Sequence, residues 1–297
     1  MLFASIDIGS NAVRLLFANV FENKKRASAD KASLIRIPIR LGLDVFNDGR
    51  ISDEKADNLV KTLQAFKLML EVYNPVAFTA CATAAMREAS NSEQILARVY
   101  NETGMEVRII DGQEEAGIIS ALNSISINKQ FGTTMYVDVG GGSTEISVMA
   151  GERFINSASF SIGTLRLLCQ KVDQSEWNKM EEWLKPYQLK PGQINVVGSG
   201  GNINKLTKLY GSTVNNTITL NELEYAFDHL GKMTMQERIE TMGLRPDRAD
   251  VIVPASDIFV RILKWAHQDY VIAPKIGLAD GLVLRLFHEY TMAENVV

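Results

Sequence analysis

Two stretches of the chain share one design. Each ends an apolar strand in Asp-apolar-Gly, turns through small residues and re-enters a second apolar strand: Ile6-Asp7-Ile8-Gly9-Ser10-Asn11-Ala12-Val13-Arg14-Leu15 and Val137-Asp138-Val139-Gly140-Gly141-Gly142-Ser143-Thr144-Glu145-Ile146. A hairpin of this kind can hold phosphate. Gly140, Gly141 and Gly142 carry no side chain to block an anion and reach positive φ cheaply, so several N–H groups can converge on one phosphate. Ser143 and Thr144 add hydroxyl donors. A plain tight hairpin would need fewer glycines and would leave Asp138 unexplained. Aligning Asp7 with Asp138 also aligns Arg14 with Glu145, so the copies have diverged into a cationic arm and an anionic arm. Two related lobes with a cleft between them are implied.

Three further segments carry candidate chemistry. Gly198-Ser199-Gly200-Gly201 sits where a strand meets a helix start, a geometry suited to anions but weak as a lone signal. Arg87 lies in the first turn of a helix after a strand, where it could clamp a phosphate bidentately. From position alone it serves equally well as an exposed arginine paired with a neighbouring carboxylate. Asp111-Gly112-Gln113-Glu114-Glu115-Ala116-Gly117 puts two carboxylates at a helix start, where the dipole favours anions in any protein. Consecutive helix residues point about 100° apart, so one of the pair faces inward toward Ala116 and Gly117. His229, His267 and His288 lack metal spacing and read as structural, and the acidic runs near Asp53 and Glu176 read as solvated faces.

The elements that position these residues follow from periodicity and punctuation. Leu2 to Gly9 and Val13 to Val20 read as a hairpin, and Leu34 to Leu41 as a third strand after the polar stretch Glu22 to Lys31. Ser52 caps a long helix through Tyr73, ended by Asn74-Pro75. Strands at Val76 to Thr83 and Glu106 to Ile110 alternate with helices at Ala84 to Ala89, from Ser92 to Gly104, and from Gly112. The second half restarts with Met135 to Val139, Thr144 to Ala150 and Arg153 to Ser159. Helices at Thr164 to Val172 and Ser175 to Leu184, a strand at Ile194 to Val197 and a helix to Tyr210 come next. Helical stretches at Asn221 to Thr241 and Arg248 to His267, a strand at Val271 to Ala273 and a helix opened by Gly277-Leu278-Ala279-Asp280-Gly281 complete the chain. The βαβ alternation predicts mostly parallel pairing in an α/β fold. The repeat places a domain boundary near residues 120–133.

At 297 residues, 46% hydrophobic and 22% charged, the chain can bury two ordinary cores. The net charge of −4 argues against a nucleic-acid surface, which needs a clustered basic stripe. Cys81 and Cys169 are the only cysteines and have no metal-type spacing, which suits buried thiols in a reducing cytoplasm. The first residues lack a basic leader and a cleavage site, and no apolar run reaches the roughly 20 residues needed to span a bilayer. The expectation is a cytoplasmic protein without membrane residence.

Several spaced motifs, in order, resemble the exopolyphosphatase and guanosine-pentaphosphate phosphohydrolase family, a branch of the actin, sugar-kinase and heat-shock-chaperone ATPase superfamily. They are Ile6 to Leu15, Ala82 to Asn91, Gly112 to Ala116, Val137 to Ile146, Ser161-Ile162-Gly163 with Arg166-Leu167, Gly198 to Gly201, and Arg245-Pro246-Asp247-Arg248. The resemblance implies two actin-like (ribonuclease H-like) domains. These would span residues 1–121 and 122–281, a C-terminal helix near 282–297 packing back on the first and the active site lying in the cleft. It implies Mg²⁺ as cofactor, with Mn²⁺ as an alternative, and inorganic polyphosphate, guanosine pentaphosphate or guanosine tetraphosphate as ligand. It assigns Glu115 as catalytic base and Asp138 and Glu145 to the metal and the attacking water, with Asp7 a further candidate ligand. Ser10, Asn11, Arg14, Arg87, Gly140, Gly141, Gly142, Ser143, Ser199, Gly200 and Gly201 become the phosphate contacts. A homodimer is implied by the resemblance alone.

Departures from the family pattern bear on fine contacts. Ala12 replaces a hydroxyl residue, Asn202 stands in place of a threonine, and Gly277 to Gly281 lacks the usual central arginine. The chain resembles the short two-domain form, which suggests that short chains or a nucleotide pentaphosphate suit it better than long polymer. Two rival readings share the phosphate loops: a superfamily kinase, and a non-catalytic sensor of guanosine tetra- or pentaphosphate. Glu115, Asp138 and Glu145 together count against the sensor, and the Glu-Glu-Ala and Thr-Ala-Ala-Met-Arg motifs count against the kinase.

Overall fold

A computed structural model describes residues 1–23, 26–122, 132–190 and 193–294. The chain divides into two compact units, one formed by residues 1–125 with 278–297 and the other by residues 126–277. Most of the boundary segment expected near 120–133 falls on 123–131, outside the described residues.

The first unit is built on β1 (Leu2–Ile8), whose side chains are buried on both faces of the sheet. It pairs antiparallel with β2 (Val13–Asn23) and parallel with β4 (Ala77–Ala82). With β3 (Arg26–Ile37) and β5 (Arg108–Ile109) the order is β3-β2-β1-β4-β5. The second unit repeats this arrangement. There β6 (Thr133–Val139), β7 (Thr144–Ala150), β8 (Arg153–Phe160), β9 (Ile194–Ser199), β10 (Thr217–Thr219) and β11 (Tyr270–Ile272) run in the order β10-β11-β9-β6-β7-β8. Read from the other edge, β8-β7-β6-β9-β11 matches β3-β2-β1-β4-β5 in order and direction. The duplication therefore covers a whole five-strand sheet. Both sheets are mixed rather than mostly parallel, because each half opens with a three-strand meander before its crossovers begin.

Helices close the faces. In the first unit α1 (Leu41–Asp48) is followed by α2 (Asp53–Tyr73), where the Ser52 hydroxyl accepts from the Lys55 N–H and Asn74 ends the helix at φ 47°. Next come α3 (Ala84–Glu88), α4 (Ser92–Thr103), which stops at Gly104 with φ 72°, and α5 (Gly112–Ala121). The second unit contributes α6 (Thr164–Leu168), α7 (Gln174–Leu184), α8 (Gly201–Tyr210), α9 (Leu220–Lys232), α10 (Met235–Glu240), α11 (Pro246–Ala249) and α12 (Ile252–Ala266). Its core joins Val137, Ile146, Val196, Ile203 and Phe259. The last helix, α13 (Leu278–Glu294), belongs to the first unit. Phe287 packs edge-on against Phe3 at 5.7 Å, and the Ser5 hydroxyl donates to the Ala279 carbonyl. Among the described residues no helix is long and apolar enough to cross a membrane.

Four element expectations are corrected. The strand expected at Leu34 to Leu41 is instead β3, and Leu41 begins α1. The polar run is held in the ladder by main-chain pairing to β2, with a register shift where Phe17 faces Ser33 and Ala18 faces Lys31. One extra residue reverses the in-out alternation, which hides a strand from a period-2 reading. The helix expected at Asn221 to Thr241 is two, because Thr219 with Glu222 and Thr234 with Glu237 each form a reciprocal capping box. The stretch from Arg248 to His267 likewise divides into α11 and α12. Finally α6 stops at Leu168, before Gln170 takes φ 56°.

Candidate functional site

The two phosphate-type hairpins occupy the same place in their sheets, and their cross-strand pairs show what each can do. In the first, Asp7 on β1 faces Arg14 on β2, and Arg14 Nη1 donates to Asp7 Oδ2 at 2.5 Å. The guanidinium lies over Gly9, with Nη1 3.6 Å from where a Cβ would stand. Ser10 is buried in the turn beside the half-buried Asn11. The expected positive arm is thus compensated by its own hairpin, and Asp7, the further candidate metal ligand, already has a cation.

In the second hairpin the matching pair is Asp138 on β6 and Glu145 on β7. Two carboxylates face each other, with oxygens within 4.8 Å, at 9% and 2% exposure. Like charges directly opposite are destabilising in a ladder, and burial increases the cost. Both acids are held in place: the Ser199 hydroxyl donates to Asp138 Oδ1, and the Ser159 hydroxyl donates to Glu145 Oε1 at 2.7 Å. These are hard oxygen donors on a rigid ladder, a donor set that fits Mg²⁺ or Mn²⁺. Sequence reading found Asp138, Glu145 and Ser199 but not Ser159, which stands opposite Glu145 on β8. Pairing the third strand of the meander onto the second would have found it.

Between these acids lies the glycine turn. Gly140 N–H donates to the Ser143 carbonyl, and Thr144 Oγ donates to the Ile162 carbonyl at 2.6 Å. Beside it, β9 delivers Ser199, Gly200 and Gly201 to the start of α8. Gly200 takes φ 95°, a conformation that favours glycine, and its ideal Cβ would lie 3.3 Å from Asp138 Oδ1. Its N–H donates to the Ile276 carbonyl at 3.2 Å, so this amide is already engaged within the second unit. Gly201 closely faces Arg248, whose Nη2 lies 2.7 Å from an ideal Cβ there. That brings one arginine of the Arg245 to Arg248 motif to the second glycine loop.

The remaining residues that the sequence singled out lie in the first unit. Asp111 caps α5, accepting from the Glu114 N–H at 2.8 Å. The two glutamates then separate. Glu114 is bridged by Arg108 at 2.7 Å and by Arg285 of α13 at 2.5 Å. Burial pushes its carboxyl up, but the two guanidiniums outweigh this and hold it below the usual glutamate range. Glu115 is the inward-facing member at 7% exposure. Arg87 donates from Nη1 to the Ile110 carbonyl at 2.9 Å, so it ties α3 to the loop before α5.

Residues 32–290 match the Ppx/GppA phosphatase family. Exopolyphosphatase 1 of Mycobacterium tuberculosis is 26% identical, the match covering 96% of this chain and 88% of that protein. The crystal structure of the Aquifex aeolicus Ppx/GppA family member is similar at a TM-score of 0.75 and 26% identity over 98% of both chains. An exopolyphosphatase structure from Cytophaga hutchinsonii shares the fold at a TM-score of 0.81 and 20% identity, covering 99% of this chain and 98% of that one. Both units accordingly have the actin-like α/β fold.

Proposed function

The chain belongs to the Ppx/GppA phosphatase family and is a phosphoanhydride hydrolase. From that premise we propose that it releases terminal phosphate from short inorganic polyphosphate and guanosine pentaphosphate, with Mg²⁺ or Mn²⁺ as cofactor and Glu115 as base. The observation that carries this reading is the facing pair Asp138 and Glu145, where the other copy of the repeat has an ion pair.

Cleaving a terminal phosphoanhydride takes positioning and charge stabilisation more than covalent help. Asp138 and Glu145 would hold the metal, which when bound neutralises phosphate oxygens. Ser199 and Ser159 keep those carboxylates in the geometry that binding needs. The amides of Gly141, Gly142 and Ser143 and the N-terminus of α8 at Gly201 donate to the phosphoryl oxygens. Ser10, Asn11, Arg14 and Arg87 hold the rest of the phosphate chain. Glu115 accepts the proton of the attacking water, and the Arg108–Glu114–Arg285 bridge fixes the turn of α5 that carries it. The reading requires Glu115 and the acidic hairpin to serve one phosphoryl group although they belong to different units.

The test is phosphate release measured with and without Mg²⁺ on short polyphosphate, long polyphosphate, guanosine pentaphosphate and ATP. Metal-dependent turnover of the first and third is expected. Turnover of ATP alone, or full activity in excess chelator, would overturn the proposal.

A further inference from the structure

The motif Ser161-Ile162-Gly163 with Arg166 has no part in the chemistry above, yet the structure places it directly behind the glycine turn. The three carbonyls of that turn all point at it. Gly140 O accepts from the Thr164 N–H at 3.0 Å, and Gly141 O accepts from the Leu165 and Arg166 N–H groups at 2.9 and 3.2 Å. Gly142 O accepts from Arg166 Nε at 2.8 Å. Arg166 itself is buried, at 9% exposure. Gly163 permits the approach: a Cβ there would collide with the Gly141 carbonyl and with the carbonyl carbon of Gly142, although its φ of −140° suits any residue.

A trans peptide is planar, so the C=O of one residue and the N–H of the next point in opposite directions. Drawing the carbonyls of Gly140, Gly141 and Gly142 onto α6 therefore turns the N–H groups of Gly141, Gly142 and Ser143 to the opposite side of the turn. Glycine has the widest conformational freedom of any residue, so three in a row would hold no such arrangement unaided. We infer that Arg166 is a positioning residue: with the first turn of α6 it holds the glycine turn from behind and aims three consecutive amides at the transferring phosphoryl group. This rests on the proposed hydrolase reading and extends it to a residue that need not touch substrate.

Donors that are fixed in advance act on charge developing in the transition state, so their loss lowers kcat more than it raises KM. A cation that simply binds the substrate's phosphates would show the opposite split. Arg166→Ala and Gly163→Ala are compared with the wild-type chain on short polyphosphate with Mg²⁺, recording kcat, KM and thermal midpoint, and Arg166→Ala is repeated with added guanidinium ion. The expected result is a kcat about 30-fold or more below wild type in both variants, KM within about 3-fold, and a several-fold recovery of kcat by guanidinium in Arg166→Ala alone, since the loss of one oxyanion donor costs about 10²–10³. If Arg166→Ala does not fold, Arg166→Lys, which keeps the charge without the fixed Nε–H, should show the same kcat loss at a wild-type midpoint. Wild-type kcat in Arg166→Lys, or a change in KM alone in Arg166→Ala, would overturn the inference. A wild-type chain with no turnover of any phosphoanhydride would instead sink the hydrolase reading on which it rests.

Discussion

Position 14 is arginine and its counterpart, position 145, is glutamate, and that exchange separates a closed ion pair from two facing carboxylates. Glu145→Gln tests the cost of the facing charges. The amide oxygen can still accept from Ser159 while the charge is gone, so the metal-free protein should melt about 1–3 °C higher, because like charges opposed in a ladder cost up to about 1 kcal/mol. Its stabilisation by Mg²⁺ should shrink at the same time, since a ligand stabilises only the state that binds it. Thermal scans with and without MgCl₂ read both, and an undiminished Mg²⁺ shift would remove Glu145 from the metal. Glu115→Gln makes a separate demand: kcat lower by about 10²–10⁴ with KM little changed, as for the loss of a general base. Near wild-type turnover would end the base assignment. That Asp138 and Glu145 flank the glycine turn, and that one of Glu114 and Glu115 faces inward, was legible in the residues themselves, whereas the choice of Glu115 came from the family resemblance. The pairing of Arg14 with Asp7 was not legible, because aligning the two repeats set each residue against its counterpart instead of folding each hairpin on itself.

At the scale of elements, the parts that the sequence disclosed are those punctuated by local chemistry. Ser52, Gly104 and Asp111 mark helix ends through a single side chain or a positive φ. Residues of β3 were hidden because their pairing is made by the main chain and interrupted by a bulge, which leaves no side-chain period to read. The contacts of α5 with α13 left no local signal, since they join segments more than 150 residues apart, and only the family resemblance implied that the last helix packs back on the first domain. At that junction an ideal Cβ on Gly281 would stand 2.5 Å from Ile118 Cγ2 and 2.8 Å from the Ile118 carbonyl oxygen. Gly281→Ala must push α13 off α5, and overpacking of this kind costs about 1–3 kcal/mol. A lower denaturant midpoint is expected, and an unchanged midpoint would show that the helices can yield. The same junction carries the Arg108–Glu114–Arg285 bridge. Glu114 is held below its ordinary pKa, so its contribution is present above the unfolded-state value and is lost as pH falls through the lower folded one. Glu114→Gln should therefore lower the melting temperature at neutral pH, and the gap to wild type should close in acid. A gap that persists below both values would assign the loss to packing rather than charge.

For the molecule as a whole, the duplicated sheet order gives the chain two turns of one design, while the global charge of −4 opposes the phosphate ligand they are proposed to hold. Attraction must therefore come from groups in contact with the phosphates, and each additional phosphate beyond their reach adds negative charge facing a net-negative protein. Such repulsion extends over about a Debye length, roughly 8 Å at physiological salt and about 30 Å at 0.01 M. A chain of a few phosphates stays within reach of the turns, whereas a long polymer keeps most of its charge outside them. The proposed preference for short substrates should accordingly be electrostatic and should depend on salt. At 0.01 M ionic strength kcat/KM should favour short polyphosphate or guanosine pentaphosphate over long polymer, and raising the salt should narrow the ratio, because screening relieves the distal repulsion more than it weakens contacts at the turns. Steady-state kinetics on chains of defined length across a salt series measure it directly. A preference for long polymer at low salt, strengthening as salt is removed, would mean that a basic track outside the two turns guides the chain.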